Sequence, residues 1–156
     1  MTYSIDDIRR VFALTAVDEQ KKILLLGAEA SVIEAWRQQG VDVIAVDPSS
    51  QISQGDCCLK ADYHQLPFTD YQFELALALN VLEQAQSIED IQTILLSIAK
   101  VAEEIRVYPL HDDKHQSADW VAPILVQLQA NNYGVELKEG ANKEALLRIW
   151  ANECVV

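Results

Sequence analysis

The sequence predicts a doubly wound α/β domain, with a mostly parallel sheet of about seven strands closed by a C-terminal antiparallel hairpin. Short continuous apolar runs recur along the chain, as central parallel strands covered on both faces require. Segments of helical period alternate with these runs. The last two strand-like segments have no helix between them, so they must pair antiparallel.

The first element is a helix over about 4–16, which Ser4 caps with Asp7 three residues on, and which aligns Ile5, Ile8 and Phe12 on one face. Lys22-Ile23-Leu24-Leu25-Leu26 reads as a buried strand ending at Gly27. A helix over about 30–39 turns Val32, Ile33 and Trp36 inward and stops at Gly40. Val41 to Val46 is the second strand, ending at Asp47-Pro48. Ser49 to Gly55 is loop or a short weak helix, and Cys57 to Ala61 is a short third strand ending at Asp62. Tyr63 to Gln72 is mostly loop, interrupted by Pro67. Phe73 to Leu79 is the fourth strand, ending at Asn80. A long helix over about 88–104 is capped by Ser87 with Asp90 behind it, its core face being Ile88, Ile91, Leu95, Ile98 and Ala102. Glu104 to Tyr108 is the fifth strand, stopped by Pro109. A helix over about 119–132 carries Val121, Ile124, Leu125 and Leu128 and ends at Gly134. Val135 to Lys138 and Ala145 to Trp150 form the hairpin, around a turn through Gly140 and Asn142. The crossovers between parallel strands should be right-handed.

The 156 residues fit one domain over 1–156, an N-terminal helix within 1–20 and a core over 21–156. Half of the residues are hydrophobic, enough to bury a core without disulfide staples. No apolar run reaches the roughly 18 residues needed to span a bilayer. The first seven residues carry neither a basic patch nor an apolar stretch, so no secretory signal is expected. Cys57, Cys58 and Cys154 are odd in number and irregularly spaced, which fits a reducing, cytoplasmic setting with no disulfide framework. The net charge of −12 repels phosphate backbones. The expected partners are a small molecule or a protein, a second copy of the chain included, with no nucleic acid and no membrane.

In an open parallel sheet, ligands bind beyond the carboxyl ends of the strands, where the strand order reverses. That rule selects Gly27 to Ser31, Asp47, Asp62, Asn80 and the segment after Tyr108. Asp47 lies 20 residues beyond Gly27, the separation at which an acid accepts from ribose hydroxyls. It equally suits the start of an Asp-Pro turn. Asp62 can accept from an adenine amino group or cap its own loop.

The run Ile23-Leu24-Leu25-Leu26-Gly27, then Val43 to Asp47, then Ala61-Asp62-Tyr63-His64-Gln65-Leu66-Pro67-Phe68, then Phe73 to Leu82 resembles a class I S-adenosylmethionine (SAM) methyltransferase, a Rossmann-like fold, from about Lys22 to the C-terminus. The third stretch is the most telling: an acid, a few residues, Leu-Pro-Phe, and soon a Phe-acid-apolar strand. Arg106 to Leu110, Glu139 to Asn142 and Leu146 to Ile149 further resemble a bacterial subgroup of methyltransferase-like proteins. The resemblance implies SAM as cofactor, with Gly27, Ala28, Glu29, Asp47, Asp62 and Asn80 around it.

The departure is in the first loop. The family has an acid two residues before the first glycine, then further glycines. This chain has Leu25, and after Gly27 only Ala28, Glu29, Ala30 and Ser31. Glu29 adds an anion where the cofactor's methionine carboxylate would approach. Leu25 removes a polar partner for its amino group. The small residues and the free N–H groups of the next helix remain. The expected function is therefore that of a methyltransferase-like protein with weakened or lost cofactor binding. The alternative is a non-catalytic module of the same fold that acts through protein contacts, and a domain for another nucleotide such as NAD is a third reading.

Methyl transfer from a sulfonium needs placement and a deprotonated acceptor, not a covalent enzyme intermediate. His64, Tyr71, Glu83 and His111 are possible bases, and nothing in the sequence selects among them. His111-Asp112-Asp113-Lys114-His115 is dense in metal-ligand types, but it lies in an acidic loop without a second cluster, so no metal is expected. A nucleophile elbow, a phosphate loop and paired-cysteine zinc spacing are absent from the sequence. Trp36, Trp120 and Trp150 are expected in the core or at an interface.

Overall fold

The computed structural model describes residues 4–27, 30–47, 58–79, 81, 85, 87–108, 117–139 and 145–151. Its elements are α1 (Ile5–Val11), a 3₁₀ turn (Asp18–Gln20), β1 (Ile23–Leu26), α2 (Ala30–Gln38), β2 (Val43–Asp47), β3 (Cys58–Lys60), β4 (Phe73–Leu79), α3 (Ile88–Val101), β5 (Ala102–Tyr108), α4 (Ser117–Ala130), β6 (Tyr133–Glu139) and β7 (Ala145–Ala151). They build one seven-stranded sheet in the order β3-β2-β1-β4-β5-β7-β6. The first five strands are mutually parallel. β7 runs antiparallel between β5 and β6. The doubly wound sheet with its closing hairpin is thus present, and the last strand inserts itself inside the edge.

β1 is buried at all four positions, and its alternation sorts side chains to two cores. Leu24 and Leu26 join the layer under α3 and α4, with Ile91, Leu95, Ile98, Ile124 and Leu128. Ile23 and Leu25 join the layer under α1 and α2, with Ile8, Phe12, Ile33 and Trp36. An apolar run without polar alternation is what a strand between two helical layers needs.

α1 starts as expected: Asp7 N–H donates to Ser4 Oγ and Ser4 N–H donates to the Asp7 carboxylate, a reciprocal cap. It is shorter than expected, ending at Val11, because Ala13 takes a positive φ of 52°. The carbonyls freed at that end accept from the Arg106 guanidinium of β5, at 3.0 Å from Phe12 and 3.4 Å from Ala13. Arg106 also grips Asp18 through both carboxylate oxygens, at 3.0 and 3.2 Å, and both side chains are buried. Glu104 then links Arg106 to Arg148 of β7, and Arg148 to Glu136 of β6. This ionic strip pins the N-terminal segment across the antiparallel end of the sheet.

Three further expectations differ from the structure. Ile88 does not face the core; as the first residue of α3 it is half-exposed, and Ile94, Ala99 and Val101 fill the layer instead. The helix passes into β5 at Ala102 without a connecting residue, so Ala102 is a buried strand residue. Gly134 does not end α4. The left-handed position there is Asn132, φ 68°, and Gly134 lies in β6 with the Trp150 indole over it, 2.3 Å from where a Cβ would stand. Among the described residues, no helix is long and apolar enough to cross a membrane.

Candidate functional site

The carboxyl ends of β1 to β5 form one rim, and the order reverses there: β1 is followed outward by β2 and β3 on one side, β4 and β5 on the other. Gly27 leaves β1 at this reversal with φ +85°. A Cβ at Gly27 would stand 1.9 Å from the Leu79 carbonyl oxygen, the last of β4. The exits of the two central strands therefore touch through a residue that has no side chain, and only glycine fits both the dihedral and the space. The nine-residue α2 begins at Ala30, three residues later, so its N-terminal end lies beside the same rim.

The other expected contacts divide. Asp47 is the last residue of β2, paired with Lys60 of β3; its backbone is at the rim and its side chain lies outside the described part. Ala28, Glu29 and Asn80 also fall outside the described residues, as do Glu83 and His111. Asp62 is described. It follows β3 by two residues and its side chain is 68% exposed. One of its oxygens accepts from the His64 backbone N–H at 2.9 Å and from His64 Nδ1 at 2.6 Å. The His64 backbone bond first, and its ring second, hold the Asp62 carboxyl below its ordinary value.

The other ring nitrogen of His64 bonds the carboxylate of Asp90 in the first turn of α3. Bonded to Asp62 and Asp90, the imidazole is raised above its ordinary value. Both nitrogens are committed to carboxylates, so His64 has no lone pair for an acceptor's proton. Tyr71 is excluded by topology: it precedes β4, its N–H bonds the Lys100 carbonyl near the end of α3, and it lies at the opposite end of the parallel strands. Leu25, in the place of the family's acid, is fully buried in the layer under α2 and paired in register with Ala45 and Leu77.

The described rim thus offers an approachable backbone at Gly27, a helix N-terminus for an anion, and one exposed carboxylate for an N–H or O–H donor. Those features suit a ligand with an anionic end and a neutral N–H or O–H donor. The sequence offers His64 as a possible base, and the only sign of its carboxylate partners is its place two residues after the rim aspartate.

The molecule is similar to known methyltransferases. A family model described as a methyltransferase domain matches residues 24–104. No curated protein matches the sequence. Among solved structures, magnesium protoporphyrin IX methyltransferase from Synechocystis PCC 6803 with bound SAM is similar at TM-score 0.66 and 16% identity, over 94% of this chain and 79% of that one. A SAM-dependent methyltransferase from Bacteroides fragilis in complex with S-adenosyl-L-homocysteine (SAH) gives TM-score 0.63 and 14% identity, over 93% and 77%. A SAM-dependent methyltransferase from Methanosarcina mazei gives TM-score 0.58 and 12% identity, over 96% and 97%. At these identities the likeness is one of fold.

Proposed function

Because this chain belongs to the methyltransferase-domain family, we propose that it binds SAM and its demethylated product SAH weakly at the carboxyl rim of the sheet, as a methyltransferase-like protein of reduced cofactor affinity. The observation that carries this reading is Gly27, whose positive φ and missing side chain let the exits of β1 and β4 meet at the reversal point with backbone alone facing a ligand. In this reading Gly27 and Ala28 line the approach with backbone. Asp47 accepts from the ribose hydroxyls, Asp62 accepts from the adenine amine, and Asn80 closes the β4 side. The N-terminus of α2 receives the methionine carboxylate.

Two features support the reduced affinity. Leu25 puts a buried hydrocarbon where a carboxylate would meet the cofactor's amino group. Glu29 adds a negative charge in the loop that takes the methionine carboxylate. SAM, when bound, supplies an electrophilic methyl group for in-line displacement, and the chain's part is to orient the acceptor and exclude water. The net charge of −12 favours a small-molecule or protein acceptor over a nucleic acid. The buried Leu25 also favours a second reading, a non-catalytic module of the same fold that acts through a protein partner or a second copy of itself.

Isothermal titration with SAH separates the two. Weak binding gives a Kd of about 0.1–1 mM, or about −5 kcal/mol. The absence of both heat and a thermal shift at millimolar SAH would remove the cofactor reading and leave the non-catalytic module.

A further inference from the structure

His64 stands between two carboxylates that belong to different elements. Nδ1 meets Asp62 on the turn after β3 at 2.6 Å, and Nε2 meets Asp90 on α3, 26 residues away in sequence. A neutral imidazole carries one N–H and one lone pair. It can donate to one carboxylate, and its lone pair then faces the other, so one of the two contacts must open. Only the imidazolium donates to both. Asp90 is well placed to receive it, since its own N–H is already bonded to Ser87 Oγ and its backbone is fixed as part of the α3 cap. Asp62 uses one oxygen for both His64 donors. The remaining oxygen of this exposed side chain has no donor among the described residues.

We infer that His64 is a positioning residue: as an imidazolium it latches the turn after β3 onto α3 and holds Asp62 with its outer oxygen turned to a neutral N–H or O–H donor on a ligand. The charged groups that face the ring are Asp62 from its own turn and Asp90 from α3. Lys60 at the end of β3 and Glu89 beside Asp90 are exposed, and neither bonds to it. The ring's ordinary value of 6.5 is raised by Asp62 first and by Asp90. The folded value therefore exceeds the unfolded one. The latch contributes in full below 6.5 and is lost as the pH rises through the folded value. Above that point the Asp62 turn is released from α3. Its local bond to the His64 backbone N–H remains, but its tie to the sheet's other half is gone.

The ligand half of this inference rests on the binding proposed above, and the latch itself does not, so the test has two arms. In the first, the histidine ring protons of the ligand-free full chain are followed by NMR as the pH is raised, in the parent and in Asp90→Asn, which keeps the backbone N–H that bonds Ser87. The latch requires a His64 midpoint above 6.5 in the parent and a lower one in the variant. It also requires amide-exchange protection factors over 61–66 that fall above the midpoint in the parent. A parent midpoint at or below 6.5, or one that Asp90→Asn leaves in place, overturns it. In the second arm, SAH is titrated below and above the measured midpoint. Positioning through Asp62 gives affinity that falls about fivefold with rising pH, the factor equivalent to about 1 kcal/mol. Asp90→Asn should be weak at both pH values. Affinity that stays level, or rises, while His64 titrates overturns the positioning role. If SAH does not bind at any pH, the function proposed above falls, and the first arm still decides the latch.

Discussion

Substituting Asn for Asp18 tests the ionic strip that fastens the N-terminal segment. Asp18 is buried and accepts from Thr15 N–H at 2.9 Å as well as from two Arg106 nitrogens. Burial by itself pushes its carboxyl up, but the Thr15 N–H and the Arg106 guanidinium overcome this and hold it at about 2, down from 3.8. A carboxyl lowered in the folded state contributes its stability in full above the unfolded value and loses it as the pH falls through the folded one. The interval here corresponds to about 2 kcal/mol. Asn at position 18 removes that contribution and leaves the buried Arg106 with Glu104, at 2.6 Å, as its remaining anion. Stripping one partner from a buried pair costs about 3–5 kcal/mol. Because Glu104 and the carbonyls of Phe12 and Ala13 stay in place, the lower end of that range, about 3 kcal/mol, is expected. Urea unfolding followed by circular dichroism at neutral pH reads this loss directly. Repeating it down to acid should show a steeper decline for the parent than for Asp18→Asn between about pH 4 and pH 2. Equal stabilities within about 0.5 kcal/mol, or parallel acid limbs, would refute the account.

Gly27→Ala combines a left-handed dihedral with a Cβ 1.9 Å from a backbone oxygen that cannot step aside. It should cost about 3 kcal/mol and lower Tm by about 6–12 °C in a domain of this size. A shift under about 2 °C would mean that the β1 and β4 exits are not in contact. Gly134→Ala meets the Trp150 ring instead, a side chain that can swing away. It should cost less, about 1–2 kcal/mol, and should change the tryptophan emission spectrum, because the half-buried Trp150 indole must move.

What the sequence made legible is what short-range physics sets. The strands follow from apolar runs that suit a two-layer burial, and the ends of β4 agree to the residue with the expectation. The starts of α1 and α3 follow from Ser4 with Asp7 and Ser87 with Asp90, since a cap is a contact over three residues. What escaped depends on residues distant in sequence. α1 ends early where Arg106 takes its last carbonyls, across 94 residues at Phe12. His64 and Asp90 meet across 26. Two signs were nonetheless present. An arginine in the middle of Glu104-Ile105-Arg106-Val107-Tyr108 contradicts a central strand unless it has buried anions. Thr15 and Asp18 repeat the spacing of Ser4 and Asp7, and they make the same reciprocal bonds.

The leucine at position 25, where the resemblance implies an acid, is built into the core, which decides whether an acid can stand there. Leu25 is fully buried, and the layer that holds it contains Ile33, Trp36, Val43 and Leu77. An aspartate placed there forfeits about 2 kcal/mol of hydrocarbon burial. It also brings a carboxyl among apolar side chains, which costs about 1–3 kcal/mol more even when protonated. Burial raises its pKa, so the penalty grows as the pH rises towards neutrality and the group must ionise or stay neutral at a cost. Leu25→Asp should therefore lose about 3–5 kcal/mol in urea unfolding and should gain no affinity for SAH, because its register partners Ala45 and Leu77 bring no side-chain donor to aim the carboxylate at the rim. A folded Leu25→Asp variant that binds SAH tenfold more tightly, about 1.4 kcal/mol, would show that one residue alone had weakened the site. The expected outcome instead makes the hydrocarbon at position 25 part of what holds α2 on the sheet, so that an acid at that position would require repacking the layer around it.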